Sequence, residues 1–357
     1  MTRAWVDVDL GALVRNGAAL KRYAGVPLVP MVKADAYGLG AVACARALEA
    51  LDPHGFGVAT VPEAAELRAA GIDRPVFVFS PLLPADFTAA RAARVVPTLG
   101  NPAAIAAWAQ GGGGPWHLAV ETGMHRAGIR WDAIGTVVDL VREHPPEGAF
   151  THFHSAERND GSWEVQEQRF RDALAVLPSR PKYLHTQNSA GIVRRAPSPW
   201  SFVRPGVFLY GVGSGDGAAL YPEPVVHVRA RVLELHDLKD GDTVSYTASW
   251  RSVGNRRVAT LGVGYADGYR RALGNRGPAL LNGRRTTVAG VVTMDMTMID
   301  VTDVPCAVGD IVTLVGRDGG HLITVEDVAT VADFMSPYEV LTGLRQRLPR
   351  LYHEAVA

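Results

Sequence analysis

The chain has only two cysteines, no excess of charge of either sign and no long apolar run. Cys44 and Cys306 lie far apart, without the close spacing of metal ligands, so a disulfide framework is not expected. The 36 basic residues balance 36 acidic ones, which argues against recruitment of nucleic acid or an anionic membrane. No stretch approaches the ~18 apolar residues of a transmembrane helix, and the segment MTRAWVDVDL has acids where a secretion signal needs an apolar core. We expect a cytoplasmic protein with a small-molecule ligand.

From Val26 onward the chain alternates regularly between apolar strands and helices rich in alanine or leucine. Helical segments such as AVACARALEAL and SWEVQEQRFRDALAVL separate eight strand-like segments before residue 210. Strand and helix alternating eight times favour an α/β fold, a (β/α)8 TIM barrel. The strand-like segments are centred near Val29, Val58, Phe77, Val95, Leu118, Phe150, Tyr183 and Phe202.

The pattern changes after Tyr210, where GVGSGDGAALYPEP is rich in glycine and proline and indicates a linker. Short alternating strands follow as far as about Gly316, which predicts a second, mainly antiparallel β domain. The tail YEVLTGLRQRLPRLYH has a helical pattern. The first strand, Arg3 to Val8, is not needed by the barrel and is expected to pair within the second domain. We predict a barrel domain over residues 10–215 and a β-rich domain formed by residues 1–9 and 216–357.

Polar side chains follow the carboxyl ends of the predicted strands, where barrels place their chemistry. Lys33 ends the first strand, and desolvation there would lower its pKa and make it an amine nucleophile or base. Ser189 and the backbone N–H groups near Gly206 and Val207 follow strands seven and eight, a common place for a phosphate. The other polar groups at strand ends are Tyr37, Glu121, Thr122, His125, Arg126, His152, His154, His185, Gln187, Asn188 and Arg204.

Two alternative chemistries use parts of this set. Gly38-Leu39-Gly40 opens a helix after a strand, with Glu63 further along, and so partly matches a dinucleotide fingerprint, although a Rossmann sheet does not predict eight even βα units. His152 and His154 form an H-x-H pair that His185 could join, as in a metal-dependent barrel hydrolase. Such hydrolases usually close the last strand with an aspartate, whereas this chain has an arginine there, and we expect no metal.

A third chemistry uses more of these groups together. A lysine able to form a Schiff base, a phosphate site and the nearby hydroxyl of Tyr37 are what pyridoxal phosphate requires. The chain also resembles the alanine racemase family, which has fold-type III pyridoxal-phosphate enzymes, over nearly its full length. The segments that carry the resemblance, in the family's order, are VKADAYGLG, ETGMHRAG, THFHSAE, HTQNSAG, VRPGVFLYG, VGYADGYRR, TMDMTMIDV and YEVLTGLRQRLPRLY.

The resemblance implies two-base racemisation of alanine on pyridoxal phosphate, which supplies D-alanine for peptidoglycan. Lys33 would bind the cofactor and act as one base, and Tyr265 of GYADG would be the other. A phenol has a pKa near 10, so a neighbouring cation must favour its ionised form, and the resemblance gives His152 and Arg204 as the chain behind Tyr265. Arg204 would also face the pyridine nitrogen and leave it unprotonated. The remaining implied contacts are Tyr37, Ser189, Gly206, Val207 and Tyr338 for the phosphate and Arg126 and Met294 for the substrate.

Tyr265 and Met294 lie in the predicted β domain. The resemblance implies that they reach the active site of a second subunit, so a homodimer with shared sites is expected.

The chain departs from the family pattern near Arg126. Ala119 replaces a lysine that many members carbamylate to orient this arginine, the usual arginine near Val291 is absent, and Thr293 replaces a cysteine. Arg126 then lacks its anionic partner, for which an inorganic anion, Glu121 or a water could substitute. Serine or broad amino-acid racemisation, a decarboxylase or aldolase on the same plan, and a non-catalytic pyridoxal-phosphate carrier are the alternatives.

Overall fold

The computed structural model describes residues 2–215 and 217–354, and the first half of the chain forms a parallel sheet. Six strands form its main path, and each pairs in parallel with the next along the chain. A short strand, Ile129–Arg130, pairs beside the fourth of them. The six strands, which we number barrel strands two to seven, are Phe56–Val58, Val76–Val78, Val95–Leu99, His117–Glu121, Gly148–Phe150 and Tyr183–His185.

Barrel strands one and eight pair with their neighbours only through isolated β-bridges. Regular strands were expected near Val29 and Phe202. Prolines at 27, 30 and 205 remove backbone donors from these segments, which limits their pairing. The cycle of eight is nevertheless closed, because Val29 N–H donates to Val203 O at 2.8 Å and Val32 N–H donates to Gly57 O at 2.8 Å. The predicted barrel is confirmed. Its closing bridges, all parallel, are Leu28 with Val203, Met31 with Gly57, and Asn188 with Arg204.

Helices cover the outside of the barrel between its strands. The first of them is capped by the Asp9 carboxylate, which accepts from Ala12 N–H at 2.7 Å, and ends at Gly25 with a left-handed φ of 72°. No helix in the described ranges is long and apolar enough to cross a membrane. The α-helices of the barrel are Leu10–Ala24, Ala41–Leu48, Val61–Ala69, Phe87–Ala92, Pro102–Gln110, Val138–Glu143, Ser162–Val176 and Ser189–Arg194. Lys33–Gly38 is a helical turn of the opposite hand, and two further α-helices, Val325–Val331 and Pro337–Thr342, follow strands of the second half of the chain.

The second half of the chain forms a nine-stranded, mainly antiparallel sheet around the long strand Val226–Leu238. This strand pairs antiparallel with Ala4–Asp9, Arg256–Leu261 and Ile311–Asp318. Apolar residues of the barrel and of this sheet belong to one continuous cluster, so the two halves pack together. The other strands of the sheet are Pro278–Leu281, Arg284–Thr287, Thr297–Asp300, His321–Ile323 and Arg350–His353, and a separate ribbon pairs Thr243–Val244 with Trp250–Arg251.

The end of the chain differs from the helix predicted for YEVLTGLRQRLPRLYH. Pro337–Thr342 is helical, but Arg350–His353 is a strand that runs parallel to Ala4–Asp9. Pro349 cannot continue a helix, and the pairing partner lies at the other end of the sequence, where a local pattern cannot reveal it. The first strand lies in this sheet, between Val226–Leu238 and Arg350–His353. Residues 1, 216 and 355–357 of the predicted domains lie outside the described residues.

Candidate active site

A cavity of about 950 Å3 opens at the carboxyl ends of the barrel strands. A second cavity of about 650 Å3 adjoins it, extends over Ala119, and shares with it Lys33, Arg126 and His152. The fold therefore gathers the groups predicted at separate strand ends into one place. All the predicted cofactor residues line the larger cavity: Lys33, Tyr37, His152, Ser189, Arg204, Gly206, Val207 and Tyr338.

Lys33 begins a single turn of left-handed helix. The residues Ala34–Tyr37 all have φ between 52° and 57°. Left-handed backbone costs roughly 1–2 kcal/mol for each residue with a side chain, so surrounding contacts must hold the turn. Ala41 N–H donates to the Asp35 carboxylate at 2.7 Å and closes the turn onto the next helix. The turn directs Lys33 and Tyr37 into the same cavity.

Glu63 holds the other end of this turn. One carboxylate oxygen accepts from Ala34 N–H at 2.8 Å, and the second accepts from Ala59 N–H at 2.7 Å and Thr60 N–H at 3.1 Å. The same side chain completes a capping box with Thr60 at the start of the helix Val61–Ala69. Glu63 thus links two segments, the turn that contains Lys33 and the end of barrel strand two. Its carboxylate bonds only backbone amides here, whereas the dinucleotide alternative would need it to bind a ribose.

The Lys33 amine is half-buried in the cavity. Burial lowers its pKa from the usual value, the nearby Arg126 guanidinium lowers it further, and Glu63 acts in the opposite direction. This is the direction predicted for Lys33. A lower pKa leaves more of the amine neutral, which is the form that attacks an aldehyde or accepts a proton.

Ser189, Gly206 and Tyr37 form a narrow cradle at one side of the cavity. Ser189 Oγ accepts from Gly206 N–H at 2.8 Å and from Phe208 N–H at 3.5 Å, so its own hydroxyl proton remains to donate into the cavity. A Cβ on Gly206 would lie 2.5 Å from the Tyr37 hydroxyl oxygen, so only glycine allows this approach. Burial raises the pKa of Tyr37 and of Tyr338, which keeps both phenols protonated and able to donate to an anion.

Arg204 is a buried cation bound mainly by neutral groups. Its Nη1 donates to His185 Nδ1 at 2.6 Å, and its Nη2 donates to Thr151 O and Thr186 O, both at 3.0 Å. His152 Nδ1 lies farther away, 3.5 Å from Nη2. Burial lowers the pKa of Arg204 to about 9, so the guanidinium still carries its charge at neutral pH. Among the described residues no carboxylate pairs with it.

A second histidine extends this arrangement into the barrel. Since the guanidinium can only donate, His185 Nδ1 accepts, and His185 Nε2–H donates to His117 Nδ1 at 2.8 Å. Burial and the Arg204 charge lower the pKa of His152 and of His117 to about 3, so both rings are neutral. His117 was not predicted, because it lies inside barrel strand five rather than after its end. The inward side of the strand HLAVE is the signal that could have identified it.

Arg126 lies where the two cavities meet. Its backbone N–H donates to Glu121 Oε2 at 3.3 Å, and Gly123 N–H donates to Oε1 of the same carboxylate. Within the described part of the chain the Arg126 guanidinium has no hydrogen bond or ion pair. Glu121 is therefore engaged by backbone amides, and the space beside Ala119 is available to an anion or a water.

The residues of the two alternative chemistries are placed differently. His154 is exposed and hydrogen-bonds Ser155 at 2.7 Å, away from His185 in the barrel interior. No cluster of three or more potential metal ligands occurs in residues 2–215 and 217–354. A barrel in place of a doubly wound sheet likewise removes the support for a dinucleotide loop at Gly38 and Gly40.

Tyr265 and Met294 lie outside both cavities. The two residues sit side by side in the β-rich half, since the amide after Tyr265 donates to Met294 O at 3.0 Å. Both are large hydrophobic residues that are nevertheless exposed, Tyr265 at 37% and Met294 at 53%. The structure thus gathers every predicted cofactor residue around one cavity, all but Tyr338 from the barrel, and leaves Tyr265 and Met294 on a separate surface.

Known proteins match the chain along nearly its whole length. Family models described as "Alanine racemase, N-terminal domain" and "Alanine racemase, C-terminal domain" match residues 8–214 and 225–352. The alanine racemase of Symbiobacterium thermophilum is 37% identical over an alignment of 374 positions that covers 99% of this chain and 97% of that protein. The alanine racemase structure from E. faecalis superposes with a TM-score of 0.92 at 32% identity over 98% of both chains. The structure from Bartonella henselae, which has covalently bound pyridoxal phosphate, has a TM-score of 0.90 at 28% identity over 99% of this chain and 100% of that one. The chain therefore belongs to the alanine racemase family.

Proposed function

We propose that Lys33 and Tyr265 are the two bases with which this enzyme interconverts L- and D-alanine. Family membership supplies the reaction, an amino-acid racemisation, and the cofactor, pyridoxal phosphate. It favours alanine over the serine, decarboxylase, aldolase and carrier alternatives. The D-alanine produced would serve peptidoglycan synthesis in the cytoplasm, a location that fractionation of producing cells would test.

The cavity groups fit pyridoxal phosphate in both charge and position. Ser189, Tyr37 and Tyr338 supply neutral donors for a phosphate at the cradle beside Gly206, and Lys33 supplies the amine for the aldehyde. When bound there, the cofactor withdraws electrons from the substrate α-carbon and makes its proton acidic. Arg204 supports the proposal because its charged guanidinium can only donate, so a ring nitrogen held beside it would stay unprotonated.

Lys33 can act as a base on one face of the substrate. Burial lowers its pKa, which increases the neutral fraction of the amine, the form needed to accept a proton. Inversion of the α-carbon requires a second base on the opposite face, because a single base would return the proton to the side from which it came. Arg126, whose guanidinium is unpaired within the described chain, is the cation proposed to orient the substrate carboxylate.

The second base is proposed to come from another copy of the chain. The single observation that supports this is the exposed pair Tyr265 and Met294, which lies apart from the cavity in which every other proposed group is found. A homodimer would bring this surface over the barrel mouth of its partner. His152, held neutral beside Arg204, is the group proposed to contact the incoming phenol.

Mixing two inactive variants tests this arrangement. Lys33→Ala removes the cofactor lysine and Tyr265→Phe removes the phenol, so each homodimer should be inactive. If the variants are unfolded and refolded together, half of the molecules should be hybrid dimers with one intact site, and activity should return to about a quarter of wild type, since a hybrid has one site of two. Refolded mixtures with mass-verified hybrids and no activity would show that the sites are not shared between subunits.

A further inference from the structure

Four charged side chains beside Tyr265 form an ion-pair network outside the proposed active site. Asp267 is 1% exposed, and its Oδ1 lies 3.1 Å from Arg347 Nε and 3.5 Å from Arg3 Nη2. The two arginines also reach Asp295, at 2.8 Å from Arg347 and 3.9 Å from Arg3. A buried carboxylate needs cations and hydrogen bonds to compensate for its lost hydration, so these partners fix the position of Asp267.

The Asp267 carboxylate also binds the backbone that carries Tyr265. Gly264 N–H donates to Asp267 Oδ2 at 2.9 Å and closes the short turn around Tyr265. Tyr265 N–H donates to Thr293 O at 3.0 Å, and the next amide donates to Met294 O at 3.0 Å. The network and the backbone bonds together join the segments of Tyr265 and Met294 into one unit.

Glycines at both ends of GYADG allow this close packing. A Cβ on Gly264 would lie 2.3 Å from Thr293 O, and a Cβ on Gly268 would lie 2.3 Å from Gly343 O. Gly268 also has a φ of 104°, which residues with side chains rarely adopt. With its ends held by backbone contact and its centre by a buried carboxylate, the turn has little freedom to tilt the phenol.

We propose that Asp267 is a positioning residue that fixes the Tyr265 phenol relative to Met294, so that both enter a second subunit's site in register. The inference rests on the proposed role of Tyr265 as a base. Asp267 touches no reacting atom and acts through the turn. Arg347 pairs with both Asp267 and Asp295, and these ion pairs bring together three separate sequence segments, VGYADGYRR, TMDMTMIDV and LRQRLPRLY.

Asp267→Asn tests the inference, because the amide keeps an oxygen for Gly264 N–H and loses the charge that binds Arg347 and Arg3. We expect kcat/KM of the holoenzyme to fall roughly 10- to 100-fold in both directions, as a misplacement of about 1 Å does. Tyr265 removes the α-proton of only one enantiomer. With α-deuterated L- and D-alanine, the isotope effect should rise for that enantiomer, whose first step is now slower, and should fall for the other.

Asp7→Asn is the matched control. Asp7 is a buried carboxylate in the same sheet, bound by Arg229 at 3.3 Å and His353 at 2.9 Å, and its loss should destabilise the sheet without changing either isotope effect. A second readout uses the cofactor-free protein, in which amide hydrogen exchange over residues 264–268 should be faster in Asp267→Asn than in Asp7→Asn.

The outcomes separate this inference from the proposed function. An active Tyr265→Phe variant would overturn the role of Tyr265 and the inference with it. If Tyr265→Phe is inactive but Asp267→Asn leaves both isotope effects unchanged, or changes them equally, Asp267 does not position the phenol and only the inference fails.

Discussion

The bond between Glu63 and the left-handed turn can be tested by Glu63→Gln. The carboxylate uses one oxygen for Ala34 N–H and the other for Ala59 and Thr60 N–H. Glutamine has only one accepting oxygen. If that oxygen keeps the bonds to Ala59 N–H and Thr60 N–H, the NH2 group faces Ala34 N–H, and because both are donors the hydrogen bond to Ala34 is lost. A hydrogen bond to a charged group contributes ~1.5–3 kcal/mol, and the partial exposure of this one leads us to expect a loss of about 2 kcal/mol.

Amide hydrogen exchange of the peptide that contains Lys33–Gly38 measures this loss locally. About 2 kcal/mol corresponds to exchange roughly 30-fold faster, since each 1.4 kcal/mol is tenfold. Glu339→Gln is the matched control because the Glu339 carboxylate completes a capping box with Ser336 and bonds to Ser336 N–H at 3.2 Å, not to an amide of the Lys33–Gly38 turn. Glutamine can keep that bond, so exchange of its own peptide should change less than about threefold. Removal of the Glu63 charge should also lower the Lys33 pKa further. Unchanged exchange at Lys33–Gly38 would refute the view that Glu63 stabilises the turn.

Two further predictions concern the anion beside Arg126 and the barrel histidines. In chloride-free buffer the activity should rise as chloride is added, and Ala119→Glu, which places a carboxylate beside Arg126, should remove this dependence; a wild-type rate insensitive to chloride would contradict it. His117 and His185 are buried and neutral, with the pKa of His117 lowered to about 3 and that of His185 lowered as well by burial. The unfolded chain therefore takes up these protons first, so the contribution of both histidines to stability is present above about pH 6.5 and decreases as the pH falls below it. For His117 the loss continues toward pH 3, by up to about 1.4 kcal/mol per pH unit. In urea unfolding, the midpoint concentration of urea should be lower at pH 5 than at pH 7. An equal midpoint at the two pH values would contradict this prediction.

The parts of the fold that local patterns encode could be predicted from the sequence. Alternation of strand and helix predicts the barrel, and the rule that barrels place their chemistry at the carboxyl ends of their strands predicts that Lys33, Ser189 and Arg204 lie close together. These predictions succeed because period and burial are properties of neighbouring residues.

Three features could not be predicted because their causes lie elsewhere in the chain. The left-handed turn after Lys33 consists of ordinary L-residues, and only bonds from Glu63 and within the turn show that this backbone is stabilised. His117 lies within a strand, so its contact with His185 depends on how the barrel closes. The strand Arg350–His353 has a helical sequence pattern and becomes a strand because Ala4–Asp9 offers an edge to pair with. The roles assigned to the site residues stay predictions.

The pairing of Ala4–Asp9 with Arg350–His353 has a consequence for synthesis of the protein. The contact between Asp7 and His353 joins residues 346 positions apart, so Ala4–Asp9 can acquire its second neighbouring strand only after the chain between them has been made. The barrel closes with contacts formed earlier, and a ribosome-bound chain can complete it while the sheet edge at Ala4–Asp9 is still unpaired. Such an open edge is a site for wrong pairing between chains. Removal of Arg350–His353 should therefore favour aggregation through this edge. The surface around Tyr265 should also mature late, because its ion-pair network needs Arg347.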